Sequence, residues 1–386
     1  MILGTLGSDK MVTTVNAILS EVFTEVFPSE VRIYTEDDPS FDYSKIKDFL
    51  RVLNVDADVK VVRVGKGISR WKDVISKESL DVADVTPGRK YMALALHNYS
   101  NSGQVRYVYL ENERKGYRPF GYTPFHEIKV VDLRQGTEVK MKAIKTRGSP
   151  SEVNLNYTGL RMTLNMLSLL GEVKLDYTSD EKAEEFCKSW SGEVKFKEES
   201  EMAKARGRLI ADTNVYMSMG PRLLYFGDKV LPSSSTYAEL LSRTDSTQKM
   251  SPELTRFHLG MYAFRLVHDK VPDPSKKFGD VPLINEAKYL KSEMSEEVTL
   301  VTGDSGVMRS ARSKGLNVIY LHDREKGKVD FTSKALCLSA FTKVDVNVNG
   351  DTFLNVRDWQ FETSKVRSLK QDYNYAYLSY LLTKKE

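Results

Sequence analysis

Residues 208–214 have the sequence Arg-Leu-Ile-Ala-Asp-Thr-Asn, a short apolar run that ends in the acid Asp212. The same pattern returns at residues 298–304, Val-Thr-Leu-Val-Thr-Gly-Asp, which end in Asp304. Each run predicts a short buried strand. Acids at the carboxyl ends of strands in an open α/β sheet project into the crevice where ligands bind. We therefore expect both carboxylates at one edge of an α/β sheet.

Two further acids, Glu239 and Asp280, lie between these strands. Ser233–Ser235 can cap a helix that carries Glu239 one turn in, and Asp280 opens a second helix. Hard oxygen ligands without histidine or thiolate suit Mg²⁺ or Mn²⁺ better than zinc. The sequence therefore predicts a site for one of these ions, since a cation relieves the mutual repulsion of such acids. The alternatives are N-capping for Asp280 and Asp304 and a solvated helix position for Glu239.

The order of these residues resembles the signature of PIN-domain nucleases across roughly residues 205–325. The resemblance is carried by Asp212-Thr213-Asn214, by Glu239 after a Pro-Ser-Ser step, by Asp280 and by Thr302-Gly303-Asp304. It implies a metal-dependent endonuclease that hydrolyses single-stranded or structured RNA, less often DNA. The four acids become the catalytic, metal-binding set. The match of Asp280 is the loosest of the four, because Asp273 also lies nearby.

The same resemblance assigns supporting roles to polar neighbours of the acids. Asn214 and Thr302 match positions that support the site or hold the attacking water. Arg309 and Arg312 follow Asp304 on the next predicted helix and would position substrate phosphates. The alternative for the two arginines is a solvated basic face.

A second informative junction lies near the start of the chain, where predicted strands alternate with helices and indicate a mostly parallel sheet. Asp84–Lys90 joins a strand to a helix that begins with Arg89 and Lys90. Free N–H groups at a helix N-terminus together with these cations favour phosphate. The turn at residues 7–10 would lie on the same edge. The alternative is a capped helix with solvated basic residues.

Residues 1–140 resemble the CARF domain, the CRISPR-associated Rossmann-fold sensor. The resemblance is carried by Thr13 and Thr14 opening the first helix, by the loop Asp84–Lys90 and by the strand ending Val130–Leu133. It implies a homodimer that binds a cyclic oligoadenylate, with the tetramer favoured, and some such domains also cleave their ligand. The implied ligand contacts are Ser8, Lys10, Thr86, Gly88, Arg89 and Lys90. A CARF sensor fused to a PIN nuclease would be an ancillary effector of type III CRISPR antiviral defence. The rival hypotheses are a ligand-independent, toxin-type PIN ribonuclease and a non-catalytic regulator that binds cyclic oligoadenylate.

The predicted fold class is α/β with four parts. They are a Rossmann-like CARF domain at 1–145, an α/β extension and connector at 146–204, a PIN-like domain at 205–325 and a C-terminal extension of that domain at 326–386. Within them, Ser151 would cap a helix bearing Leu160, and 197–208 would be a solvated connector. The Asn-Gly pair at 349–350 predicts a hairpin, and the last tyrosines predict a helix.

Composition narrows the function classes for these 386 residues. A net charge of +4 is too small to mark a nucleic-acid binder by bulk electrostatics, so such a site must be local. Two cysteines are too few for a disulfide framework or a cysteine zinc site, which favours a reducing compartment. The five histidines are scattered without metal-ligand spacing. We expect a cytoplasmic protein, because the sequence shows neither a signal peptide nor a membrane-spanning run.

Overall fold

The structure is a computed structural model that describes residues 1–38, 42–112, 117–147, 150–245, 251–294 and 296–384. Two compact units divide the chain. The first comprises Met1–Lys174, Asp345–Asn355 and Lys365–Glu386, and the second comprises Leu175–Val344 and Val356–Ser364. The α/β class predicted from the sequence is confirmed. Within the described residues, no helix combines the length and the apolar character needed to span a bilayer.

The elements alternate between strand and helix from the start of the chain to residue 110, as predicted, and three further strands and a helix follow up to residue 167. In chain order they are β1 (Ile2–Leu6), α1 (Met11–Phe23), β2 (Glu30–Thr35), α2 (Lys45–Val52), β3 (Asp58–Arg63), α3 (Ile68–Ile75), β4 (Ser79–Asp84), α4 (Lys90–Tyr99), β5 (Asn101–Leu110), β6 (Ile128–Asp132), β7 (Thr137–Val139), β8 (Glu152–Leu155) and α5 (Tyr157–Leu167).

The elements of the remaining chain include the two strands that precede the predicted acids. They are β9 (Val173–Tyr177), α6 (Glu181–Trp190), β10 (Val194–Phe196), α7 (Glu199–Lys204), β11 (Arg208–Ala211), α8 (Thr213–Met219), β12 (Val230–Leu231), α9 (Ser234–Thr244), α10 (Pro252–Val267), α11 (Asp280–Met294), β13 (Val298–Thr302), α12 (Ser305–Ser313), β14 (Asn317–Tyr320), β15 (Arg324–Lys326), α13 (Phe331–Ser339), β16 (Val344–Val348), β17 (Asp351–Gln360), β18 (Thr363–Ser368) and α14 (Tyr375–Thr383). Short 3₁₀ segments occur at Phe125–Glu127, Gly220–Lys229 and Gln371–Tyr373.

The sheet of the first unit has the strand order β3-β2-β1-β4-β5-β6-β7. Its first five strands are parallel, and β6 and β7 continue it antiparallel. The order 3-2-1-4-5 is that of a Rossmann-like sheet, in which the strand order reverses between β1 and β4. Val31, Ile33, Leu3 and Leu6 are fully buried in it.

The second unit contains a smaller parallel sheet with the order β12-β11-β13-β14. Helices α11 and α12 cover one face of it. Their apolar side chains pack with Ile210 and Leu300 of the central strands, and this cluster includes Leu283, Ile284, Ala287, Val307 and Ala311.

A third sheet has the order β8-β18-β17-β16-β9, and β10 pairs with β15.

Several sequence predictions need correction. Ser151 does not cap the helix that carries Leu160. Residues 152–155 alternate between exposed and buried as strand β8, and Asn156 caps α5 by accepting a hydrogen bond from Gly159 N at 2.9 Å. The predicted connector contains helix α7, because Met202 is fully buried and anchors it.

The chain after residue 326 was predicted to extend the nuclease domain, but much of it belongs to the first unit. The side chain of Tyr375 on α14 makes the connection, since its hydroxyl accepts from Ile144 N at 2.9 Å and donates to Ile144 O at 2.8 Å. Thr146 N also donates to Asp372 O at 2.7 Å. The predicted hairpin and terminal helix are confirmed as β16–β17 and α14.

The sequence predicted no disulfide framework, but the two cysteines form one disulfide. Cys187 on α6 and Cys337 on α13 form a disulfide across a sequence separation of 150 residues. Both side chains are fully buried. Spacing along the chain gave no signal, because only the packing of α6 against α13 brings the two sulfurs together.

Candidate functional site

The parallel sheet of the second unit places Asp212 and Asp304 at the same edge. Strands β11 and β13 are hydrogen-bonded neighbours with Ala211 opposite Val301. Asp212 continues this ladder, since its N–H donates to Val301 O at 3.0 Å. Asp304 lies two residues beyond the end of β13. The prediction that both acids lie at one edge of an α/β sheet is therefore confirmed, and the structure adds that their strands are neighbours.

The carboxylate of Asp212 is only 8 % exposed and is held by three donors. Its Oδ2 accepts from Thr302 Oγ1 at 2.8 Å and from Asn214 Nδ2 at 2.6 Å. Its Oδ1 accepts from Thr213 N at 2.7 Å. Asn214 is fixed in turn, because its Oδ1 accepts from Gly303 N at 2.9 Å. Asn214 and Thr302 thus support Asp212, as their positions predicted.

Glu239 is linked to the same carboxylate through Thr213, a residue that the sequence did not single out. Thr213 Oγ1 donates to Glu239 Oε2 at 2.9 Å, while Thr213 N donates to Asp212. Glu239 is half-buried in the second turn of α9. One threonine therefore orients two of the four predicted acids.

A second residue missed from the sequence, Glu286 on α11, fixes the helix that carries Glu239. Its Oε2 accepts from Ser233 Oγ at 2.7 Å and from Ser235 N at 3.0 Å, and its Oε1 accepts from Ser234 N at 2.7 Å. A carboxylate at a helix N-terminus satisfies amide groups that have no partner within the helix. The three serines signalled a helix start but not which acid would reach it from 51 to 53 positions away.

Asp280 and Asp304 lie at the starts of α11 and α12 and are exposed. The N-cap alternative holds for Asp304, whose Oδ1 accepts from Gly306 N at 2.6 Å and from Val307 N at 3.0 Å. Only one oxygen of that carboxylate makes these bonds. Capping therefore leaves the second oxygen of Asp304 available for a ligand.

Burial raises the pKa of Asp212 to about 6. Hydrogen bonds from Thr302 and Thr213 oppose the rise, and the charges of Glu239 and Asp280 add to it. In the described part of the chain, the neighbouring charges that act most on Asp212 are therefore acidic. Among the described residues, however, no three of the four acids bring ligand atoms within 4.8 Å of one another. The donor set fits a hard divalent cation in type, and a bound ion would have to draw the acids closer.

The two arginines predicted to position substrate both lie on α12, about one turn apart. Arg309 is exposed in the second turn of the helix. Arg312 borders a cavity with Glu297 and Asn317, which lie at the amino ends of β13 and β14. Arg312 is therefore at the sheet edge opposite to Asp212 and Asp304, since the strands are parallel. Arg309 lies one turn nearer to Asp304 along the same helix.

The raised pKa of Asp212 predicts a dependence of stability on pH. Between its ordinary pKa of 3.8 and the folded value of about 6, the native state binds the proton more tightly than the unfolded chain does. The free energy of unfolding should therefore fall by up to about 3 kcal/mol as pH rises through this window. Thermal unfolding of wild type and Asp212→Asn in chelator tests this. The variant's advantage in Tm should grow from pH 4 to pH 7, and a constant difference would contradict the interpretation.

The first unit presents a second group of predicted residues at the point where its strand order reverses. The turn at 7–10 follows β1 and the loop at 85–89 follows β4, and these strands pair in parallel with Leu3 opposite Val82. Ligands bind in α/β sheets at such a reversal, beyond the carboxyl ends of the strands. The structure therefore brings the predicted contacts from both loops to one edge.

The loop after β4 is held by Thr86, whose hydroxyl is used within the fold. Thr86 N donates to Asp84 Oδ1 at 2.9 Å and its Oγ1 donates to Asp84 Oδ2 at 3.1 Å. The same hydroxyl accepts from Val108 N at 2.8 Å. Thr86 was predicted as a ligand contact, and its side chain shapes the loop that carries the other predicted contacts.

Gly88 lets this loop approach the end of β1. Its φ is +84°, and a Cβ there would lie 3.1 Å from Leu6 Cβ. Arg89 and Lys90 follow at the start of α4 and are exposed. The guanidinium of Arg89 pairs with Glu36 at 3.1 Å. In the other loop, Ser8 Oγ accepts from Lys10 N at 3.3 Å.

A buried charge network lies beneath the loop. Burial raises the pKa of Asp84 well above its usual range, and the nearby carboxylate of Glu21 raises it further. Arg106 Nη1 donates to Glu21 Oε2 at 2.6 Å and to Thr24 Oγ1 at 2.7 Å. One guanidinium compensates one of the two buried acids. The carboxyl of Asp84 therefore retains a proton at higher pH than an exposed aspartate.

Comparisons with known proteins give distant structural similarities. No family model and no curated protein matches the chain. It is similar to Can2 from Sulfobacillus thermosulfidooxidans in complex with cyclic tetra-adenylate, with 10% identity, a TM-score of 0.32 and coverage of 82% of this chain and 95% of that chain. VC1899 from Vibrio cholerae is similar with 11% identity and a TM-score of 0.32, covering 83% of this chain and 93% of that chain. A type III CRISPR defence DNA nuclease activated by cyclic oligoadenylate is similar with 14% identity and a TM-score of 0.26. The match covers 76% of this chain and 34% of that chain. Similarities of this size do not assign a family.

Proposed function

We propose that the second unit is a divalent-metal-dependent endonuclease, with single-stranded RNA favoured over DNA as its substrate. The observation that carries the proposal is the carboxylate of Asp212. It is buried at a strand end, oriented by Thr302, Asn214 and Thr213, and surrounded by further acids rather than by cations. Placing an unneutralised carboxylate there costs stability, and a bound cation offsets that cost.

Asp212, Glu239, Asp280 and Asp304 would hold the ion, which is Mg²⁺ or Mn²⁺ by the chemistry of the ligands. Such an ion supplies a water of lowered pKa and neutralises charge on the phosphoryl oxygens. Thr302 and Asn214 would keep Asp212 in a single orientation, and Thr213 would do so for Glu239. Arg309 would contact a substrate phosphate.

We further propose that the first unit binds a cyclic oligoadenylate, with the tetramer favoured, and that the ligand stimulates cleavage. The N-terminus of α4, Arg89 and Lys90 offer donors and positive charge to a phosphate. Ser8, Lys10 and the backbone around Gly88 would complete the contacts. A cyclic ligand with repeated phosphates suits two copies of this edge, so the active form would be a homodimer with a role in type III CRISPR defence. A ligand stimulates only if it binds the active arrangement more tightly.

Cleavage of labelled single-stranded RNA and DNA by the purified protein tests both proposals. Reactions would contain Mg²⁺, Mn²⁺ or chelator, each with and without cyclic tetra-adenylate or cyclic hexa-adenylate. We expect metal-dependent cleavage that a ligand stimulates. Cleavage that ignores every ligand would retain the nuclease and indicate a toxin-type ribonuclease. Ligand binding without cleavage under any condition would indicate a non-catalytic regulator.

A further inference from the structure

A histidine and two carboxylates come together in the second unit, away from the four acids described above. One ring nitrogen of His322 and one oxygen each of Glu198 and Asp323 all lie within 4.8 Å of one another. His322 Nδ1 is 3.0 Å from Glu198 Oε1, and its Nε2 is 3.7 Å from Asp323 Oδ1. The sequence predicted no metal-ligand spacing for any histidine. That prediction missed this group because Glu198 lies more than a hundred positions from its partners.

The group is fixed by its surroundings. Glu198 is 7 % exposed, and its carboxylate accepts from His322 N at 3.4 Å and from Asp323 N at 3.3 Å. The ring of His322 stacks on Tyr320 with centroids 4.9 Å apart and planes 9° apart. His322 Nδ1 also lies 3.0 Å from Tyr320 O. A backbone carbonyl on one ring nitrogen is the usual partner of a metal-binding histidine.

We propose that Glu198, His322 and Asp323 form a site for a divalent transition metal, with Zn²⁺ as the preferred ion. Imidazole nitrogen with carboxylate oxygen suits Zn²⁺ and not Mg²⁺. One ion binds one nitrogen of the ring. Two tetrahedral ligands at roughly 2.1 Å from zinc lie about 3.4 Å apart, and the one nitrogen and two carboxylate oxygens offered here lie within 4.8 Å of one another. Three protein ligands leave a fourth position for water or a substrate oxygen.

A bound metal ion would displace the ammonium group of Lys197, which now pairs with Asp323. Lys197 Nζ lies 3.5 Å from Asp323 Oδ2, and both groups are more than half exposed. An exposed pair of this kind contributes little stability. Displacing the ammonium group of Lys197 is therefore a small obstacle to a divalent ion.

The position of the site gives it a role in the architecture of the second unit. His322 and Asp323 follow β14, and Leu321 N donates to Thr302 O at 2.9 Å. Thr302 is the residue whose hydroxyl holds Asp212. An ion at His322 would fix the segment next to Thr302 without sharing a ligand with the four acids. This inference therefore stands independently of the proposed nuclease activity.

Titration of the full chain with Zn²⁺ alone, followed by calorimetry and by the Tm, tests the proposal. We expect one equivalent to bind wild type and to raise its Tm. His322→Gln should weaken Zn²⁺ binding by at least about tenfold. His126→Gln, which alters another exposed histidine, should bind Zn²⁺ as wild type does, and Asp212→Asn should retain the equivalent that His322→Gln loses.

Failure of this proposal and failure of the nuclease proposal are distinguishable. Absence of Zn²⁺ binding to wild type, or equal affinity in His322→Gln, would overturn the zinc site whatever the cleavage assays give. Asp323→Asn provides a second variant should His322→Gln not fold, and it should weaken binding by a similar factor. An unchanged affinity in Asp323→Asn would also overturn the proposal.

Discussion

Asp212→Asn is expected to reduce metal-dependent cleavage by at least about 100-fold, because even partners in the outer shell of a metal site contribute 10- to 100-fold. Asp212 supplies a buried anion whose two oxygens are oriented by Thr302, Asn214 and Thr213. Asparagine has nearly the same shape but no charge. The substitution thus removes the attraction for a divalent cation while leaving most of the packing intact.

The variant should fold at least as well as wild type at neutral pH. Burial and the neighbouring acids raise the pKa of Asp212, so its charged form is the destabilised one. A loss of cleavage with an unchanged or higher Tm would therefore report on chemistry rather than on folding. The measurement is the initial rate of cleavage under Mg²⁺ and Mn²⁺ beside the Tm of the same preparations.

The matched control is Asp228→Asn. Asp228 is an exposed aspartate of the second unit that precedes β12, and it therefore lies at the amino edge of the same sheet. The cleavage rate of Asp228→Asn should remain within about twofold of that of wild type. Surface substitutions away from a site usually change the free energy of unfolding by less than about 0.5 kcal/mol. Equal losses in both variants, or no loss in Asp212→Asn, would rule out the assignment of the site.

Local sequence patterns predicted the strands that carry the site. The runs before Asp212 and Asp304 are apolar, and a short apolar run is enough to predict a buried strand of a parallel sheet. Each of the two runs ends in an acid. Asn349 and Gly350 likewise predicted a hairpin, and both adopt positive φ there, at 51° and 91°. Features whose cause lies within a few residues were therefore accessible from the sequence.

The supporting residues depend on contacts between distant parts of the chain. Glu286 reaches three serines of another helix, and Glu198 reaches His322 across more than a hundred positions. The pairing of Cys187 with Cys337 and of Tyr375 with Ile144 has the same origin. No periodicity encodes such contacts, because each depends on how complete elements pack. The predicted acids were consequently found together with Asn214 and Thr302, while Thr213 and Glu286 were not.

Lys90→Glu is expected to weaken the binding of cyclic tetra-adenylate by about 10- to 100-fold. A hydrogen bond to a charged group contributes about 1.5–3 kcal/mol, and reversing the charge also opposes the dipole at the start of α4. Lys90 is exposed at the first position of that helix, whereas Arg89 beside it is already paired with Glu36. The dissociation constant, measured by calorimetry on the full chain, gives the effect directly.

Lys77→Glu makes the same change of charge at the other edge of the sheet and is the matched control. Lys77 is exposed and directly precedes Glu78 and β4, so it lies at the amino end of the strand whose carboxyl end carries the loop of Gly88. A general effect of net charge would weaken both variants equally and would disappear at high salt. A loss confined to Lys90→Glu would place the phosphate at the N-terminus of α4. Unchanged affinity in Lys90→Glu would exclude this loop as the ligand site, even if cleavage still responded to the ligand.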